Sequence, residues 1–167
     1  ERLVRVLAVQ SANPWTGETV LAAASANGQL QADAIAIAPY FGHRWGDPRR
    51  AEETASMKVD ELMTALEDDV RESSKQMQEY ASLAKKHGLK LMAYEGGQHL
   101  VGHGGAENDD RLTALFHAAN RHPRMKELYL QNLADWRDAG GDLYCVFSSM
   151  GLYSKWGSWG VLEHTGQ

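Results

Sequence analysis

The stretch "LKLMAYEGGQHLVGHGG", residues 89–105, decides how the whole chain is read. Leu91, Met92, Ala93 and Tyr94 make a short apolar run of the kind found in buried strands, and the run stops at Glu95, followed at once by Gly96 and Gly97. A lone carboxylate at the tip of a strand, ahead of a loop rich in glycine and histidine, suits a rim that meets ligands better than it suits a core. On a period of two, Leu91, Ala93 and Glu95 share one face of their strand, and Ala36, Ala38 and Tyr40 share the corresponding face of an earlier one. Small alanines beneath and functional tips above fit the inside of a barrel. A tyrosine hydroxyl within reach of Glu95 would hold that carboxylate ionised and oriented, and the glycines beyond it would leave room for a ligand to approach.

Working outward, four segments have β character: residues 3–10, 34–40, 89–95 and 143–148. Each is short and nearly continuous in its apolar residues, as strands covered on both faces are. Residues 17–27 are alanine-rich and helical in pattern, with Gly28 placed to stop them. A longer helix follows, in which Val59, Leu62, Met63, Leu66, Val70, Met77, Tyr80, Leu83 and Ala84 recur at three- and four-residue steps and Gly88 ends the run. The acids Glu67, Asp68, Asp69 and Glu72 sit largely off that stripe and are expected to form its solvated face. Asp109 and Asp110 are placed to cap a helix over residues 111–121, and Pro123 fits the first turn of another that reaches Ala139 before Gly140 and Gly141. The order β-α-β-α-β-α-α-β, with connections this long, predicts parallel strands and right-handed crossovers, hence an α/β fold of four parallel β/α units in one domain over residues 1–167.

Composition narrows the function. Seventeen basic residues against 22 acidic ones, with no extended basic patch, argue against nucleic acid. No apolar run reaches the roughly 20 residues a membrane span needs, and the N-terminus lacks the order of a signal peptide. The opening "ERLVRVLAVQ" enters a strand almost at once, which reads as a piece of something longer. Cys145 is the only cysteine, so no internal disulfide forms, and its flanks "LYCVF" predict a buried small hydrophobe.

The side chains with chemistry follow the strands. They lie in "QSANPW", "PYFGHRW", "EGGQHLVGHGG" and "SSMGLYSKWGSWG", which hold four of the five tryptophans. Trp15, Trp45, Trp156 and Trp159 offer flat apolar faces of the kind that sugar rings stack on, with Asn13, His43, Gln98, His99 and Ser158 as hydroxyl partners. The plainer alternative is that these indoles cover strand ends and that Glu95 is a structural acid held by amides of the glycine loop. A metal is the other alternative, through His99, His103, His43 and Glu95; but a His-x3-His pair has its usual geometry on a helix, and here a glycine loop intervenes. No cofactor is expected.

The segments "RLVRVLAVQSANPW", "ADAIAIAPYFG", "AYEGGQHLVG" and "KWGSWGVLEH" resemble strands five to eight, with their loops, of the (β/α)8-barrel glycoside hydrolases that keep a nucleophilic glutamate on strand seven. More narrowly, they are similar to bacterial proteins labelled cellulose-binding or glycosidase-like. The resemblance implies half of a TIM (β/α)8 barrel acting on a β-linked polysaccharide or oligosaccharide, in an extracellular or periplasmic setting. It matches Glu95 to the nucleophile, Tyr40 to the tyrosine that touches it, and Trp156 or Trp159 to the tryptophan under the sugar. The clan's acid/base lies in an Asn-Glu pair after strand four, and this chain has no Asn-Glu dipeptide. The implied alternatives are a hydrolase whose second carboxyl group comes from elsewhere, through a homodimer or a missing N-terminal half, and a non-catalytic glycan-binding module.

Overall fold

Proline and glycine divide the apolar runs into pieces shorter than the sequence pattern suggests. In a computed structural model, which describes residues 3–26, 28 and 30–167, the first strand is β1 (Val6–Ala8), followed by helix α1 (Pro14–Ala24). The second β segment splits at Pro39 into β2 (Ala34–Ile37) and β3 (Tyr40–Phe41). A 3-10 turn (His43–Gly46), a short helix α2 (Ala51–Ala55) and the long helix α3 (Val59–Lys86) come next. The third β segment splits into β4 (Lys90–Ala93) and β5 (Gly97–Gln98), and helices α4 (Asp110–Arg121) and α5 (Pro123–Asp138) complete the regular elements.

The strands form two small parallel sheets, one in the order β1-β2-β4 and one of β3 with β5. The expected four β/α units, half of a (β/α)8 barrel, are therefore not what the chain builds. Residues 143–148 do not form a fourth strand. They make one parallel bridge, Tyr144 to Ala93, with Ala93 N donating to Leu143 O (2.8 Å) and Cys145 N donating to Ala93 O (3.0 Å). Beyond it the chain is drawn away, because Phe147 N donates to Gly96 O and Ser148 N donates to Trp159 O. Leu143, Phe147 and Cys145 are exposed along this segment, with Phe147 set edge to face against Trp159, and the buried setting expected for Cys145 is not found.

Helices cover one face of the larger sheet. Leu21, Ile35, Ile37, Met77, Tyr80, Leu91, Ala93 and Trp136 are packed together there. Leu91 and Ala93 thus point toward the helices, opposite in parity to Ala36, which pairs with Met92; the shared inner face expected for the two strands is not formed. On the uncovered side Val4 and Val6 are exposed. A second core lies between α3, α4 and α5 and takes in Phe41, Trp45, Leu62, Leu66, Leu112, Phe116 and Leu128. Burying each such large apolar side chain contributes about 1.5–3 kcal/mol, so this helical layer is what holds the β3 and β5 tips in place.

Helix α1 begins at Pro14 rather than residue 17, since a proline needs no amide partner in the first turn, and it ends at Ala24, four residues short of Gly28; Asn27 lies outside the described residues. Among the described residues no helix is long and apolar enough to cross a membrane.

Candidate functional site

Glu95 owes its position to a mismatch in register. Ile37 pairs with Ala93 and Tyr40 pairs with Gly97, so two residues, Ala38 and Pro39, span the gap on one side while three, Tyr94, Glu95 and Gly96, span it on the other. The extra residue forces a bend, and the bend turns Glu95 out of the period-two pattern, as bulges next to ligand sites do. The carboxylate is half-buried beside Tyr40, close enough for its charge to act on the phenol. Burial, and then the negative charge of Glu95, push the Tyr40 hydroxyl well above its ordinary value, so the phenol stays protonated as a donor. Tyr94 is raised by the same two causes.

Around this pair the rings are set edge to face. His99 lies 5.2 Å from Tyr40 at 80° and 5.0 Å from Trp159 at 78°; Trp159 lies 6.2 Å from Tyr40 and 5.7 Å from Phe147. Perpendicular pairs of this kind lock each ring's orientation. Trp159 is fixed further by its Nε1, which donates to Trp156 O at 2.8 Å. Burial lowers the His99 pKa, which favours a neutral ring that can accept as well as donate.

Two tyrosines brace the bend from beneath. A Cβ on Gly96 would stand 2.4 Å from Tyr144 Oη, and one on Gly97 would stand 2.8 Å from Tyr129 Oη. The glycines therefore make room for protein hydroxyls and not, as expected, for an incoming ligand. Tyr144 Oη donates to Asn132 Oδ1 (2.8 Å), and Tyr129 Oη accepts from Gln98 N (3.2 Å). Burial raises both phenols, Tyr129 to about 12.

The other residues singled out by sequence are dispersed. Trp45, 5% exposed, is a core residue whose Nε1 donates to Asp69 Oδ2 (2.7 Å) while Arg44 and Arg50 lie over its ring. Gln98 has no exposure at all: its Oε1 accepts from Leu100 N and its Nε2 donates to Ser158 O, both at 2.7 Å, so its amide holds the loop. Ser158 is equally buried. Asn13 is exposed ahead of α1, and its carbonyl accepts from Tyr80 Oη. Trp15 (67% exposed) and Trp156 (65%) are on the surface, and the rings contacting Tyr40, His99 and Trp159 include neither, among the described residues. His43 is exposed on the 3-10 turn. His99, His103, His43 and Glu95 do not gather: among the described residues no group of three or more His, Cys, Asp or Glu side chains could hold a metal ion.

Four contributors lie outside the sequence-based expectations. Phe147 falls in a segment expected to be a strand. Tyr144 and Tyr129 gave no signal beyond being aromatic. Asp69, expected on the solvated face of α3, is largely buried against Arg44 (2.7 Å) and Trp45, and its pKa is raised by burial against the opposing pull of Arg44. The spacing Leu62, Leu66, Asp69, Ser73 places Asp69 on the buried stripe of α3, and that periodicity could have found it.

No protein-family model, curated protein or solved structure matches the chain.

Proposed function

We propose that the chain is a carbohydrate-active protein of glycoside hydrolase-like character, with Glu95 as the nucleophile and Tyr40 as its orienting partner. The observation that carries this reading is the Glu95 carboxylate beside the Tyr40 phenol, whose ring is set against the perpendicular rings of His99 and Trp159. A carboxylate beside a phenol that is itself packed against an indole and a neutral imidazole brings near one another what a pyranose needs: an apolar platform, a hydroxyl partner and an oxygen that can attack the anomeric carbon. In the first step Glu95 forms a bond to that carbon as the glycosidic bond breaks, and the leaving oxygen takes its proton from a second carboxyl group about 5–5.5 Å away. Among the described residues, Glu95 is the carboxylate whose charge acts on Tyr40. The second group is then supplied by a partner, which we take to be another copy of the chain seated on the uncovered side of the β1-β2-β4 sheet.

The same observation favours a second reading, a glycan-binding module, because gripping a sugar needs the rings and not the acid.

An activated substrate separates the two. A dinitrophenyl β-glycoside has a leaving group that departs without protonation, so Glu95 alone suffices for the first step. A stoichiometric burst of dinitrophenolate, absent in Glu95→Gln, supports the hydrolase. No burst, with retention on insoluble β-glucan that survives Glu95→Gln and is lost in Trp159→Ala, supports the module. Neither burst nor retention ends the carbohydrate reading.

A further inference from the structure

A cavity of about 890 Å³ opens beside the Glu95 site, between the turn after β1, the segment from Ala38 to Arg44, and helix α3. It shares two walls with that site, Tyr40 and His99. We infer that the ligand site continues past these two rings into the cavity and holds there a further, uncharged saccharide unit. This rests on the carbohydrate reading above and adds to it the extent of the site and the neutrality of its ligand.

Three features argue for it. Size comes first: pockets of about 300–1,000 Å³ enclose most of a bound small molecule, and this one exceeds what a single contact with Glu95 requires. Charge is second. The ionised groups on α3 and the preceding turn that face the cavity are already matched, Arg44 with Asp69, Arg71 with Asp68 and Lys75 with Glu72. A charged ligand would have to break one of these pairs, whereas hydroxyls can bond to their outer edges without disturbing them. Third, two wall residues hold buried polar atoms without partners, Ser11 Oγ and His99 Nδ1. An unpaired buried hydroxyl is costly, and rotation about one bond of Ser11 offers its hydroxyl to an occupant of the cavity. Ala38 presents only a methyl group to the cavity.

Calorimetric titration with β-1,4-linked glucose oligomers of increasing length tests the inference. Wild-type affinity is expected to rise with length, and Ser11→Trp, which fills the cavity, to abolish the rise while leaving the shortest binding ligand unchanged. Ser11→Ala should weaken only the longer oligomers, by about three- to tenfold, the loss of one hydrogen bond, and it decides the matter if the tryptophan variant fails to fold. An unaltered length dependence in both variants overturns the inference while the carbohydrate reading stands. Equal binding of glucuronate oligomers of the same length overturns the neutrality. No binding of any oligomer by the wild type overturns both readings.

Discussion

Gly96 shows how a single residue can be misread from sequence and corrected by packing. Before a carboxylate site, a glycine pair suggests open space; here the missing Cβ is the space that Tyr144 Oη occupies. Gly96→Ala forces a contact of 2.4 Å with a phenol already anchored by Asn132, so either the tyrosine moves or the bend does. Overpacking of this kind costs about 1–3 kcal/mol. Chemical denaturation should show that loss, and Gly96→Ala combined with Tyr144→Phe should recover part of it; a variant as stable as wild type would show that the bend is not braced from below. His99 yields a second prediction. Its folded-state pKa is lowered from 6.5 by burial. The unfolded chain therefore binds a proton that the folded chain refuses, so this contribution to stability is complete above about 6.5 and declines as pH falls toward the lowered value. Measured between about pH 8 and 5, wild type should lose stability on acidification relative to His99→Gln, and parallel profiles would refute the assignment.

At the scale of elements, the legible parts were those with local causes. Helix α3 runs from Val59 and ends where Gly88 adopts a positive φ of 66°, because an apolar stripe and a helix-stopping glycine are written in adjacent residues. The α4–α5 junction was equally plain: Asp109 accepts from the amides of Arg111 and Leu112, and Pro123 opens α5. Asp109→Ala should cost about 1 kcal/mol, read as a lower denaturation midpoint, with Asp109→Asn retaining most of the stability; no change in the alanine variant would mean the cap is idle. The β segments were legible in their parallel direction but not in their length or facing. Pro39 cuts one and the extra residue at Glu95 cuts the other, and which residues pair across such a break depends on tertiary contacts that no period of two records. In the same way, "PYFGHRW" gave no sign that Trp45 would turn inward to Asp69 while Tyr40 stayed at the site.

For the whole molecule the unanswered demand lies on the β1-β2-β4 sheet. Its helix-covered face is closed by Ile35, Ile37, Leu91 and Trp136, but on β1 the other side leaves Val6 45% exposed, next to Leu3 and Val4, and beyond β4 Leu143 and Phe147 are exposed as well. Among the described residues β1 pairs only with β2, so its outer edge keeps unpaired amides and carbonyls. An apolar face bounded by open edges favours association, and the partner proposed above serves two needs at once, covering this surface and bringing a second carboxyl group toward Glu95. A charge on that surface is the simplest test. Val6→Lys places an ammonium at an exposed position, where a substitution alters the stability of the lone chain by no more than about 0.5 kcal/mol, yet in an interface it is buried without a counter-charge. Sedimentation equilibrium should find wild type as a dimer and Val6→Lys as a folded monomer with an unchanged circular dichroism spectrum. If dinitrophenolate release then persists in the monomer while turnover of an unactivated oligosaccharide disappears, the second carboxyl group belongs to the partner; a wild-type chain that sediments as a monomer at all concentrations rules the association out.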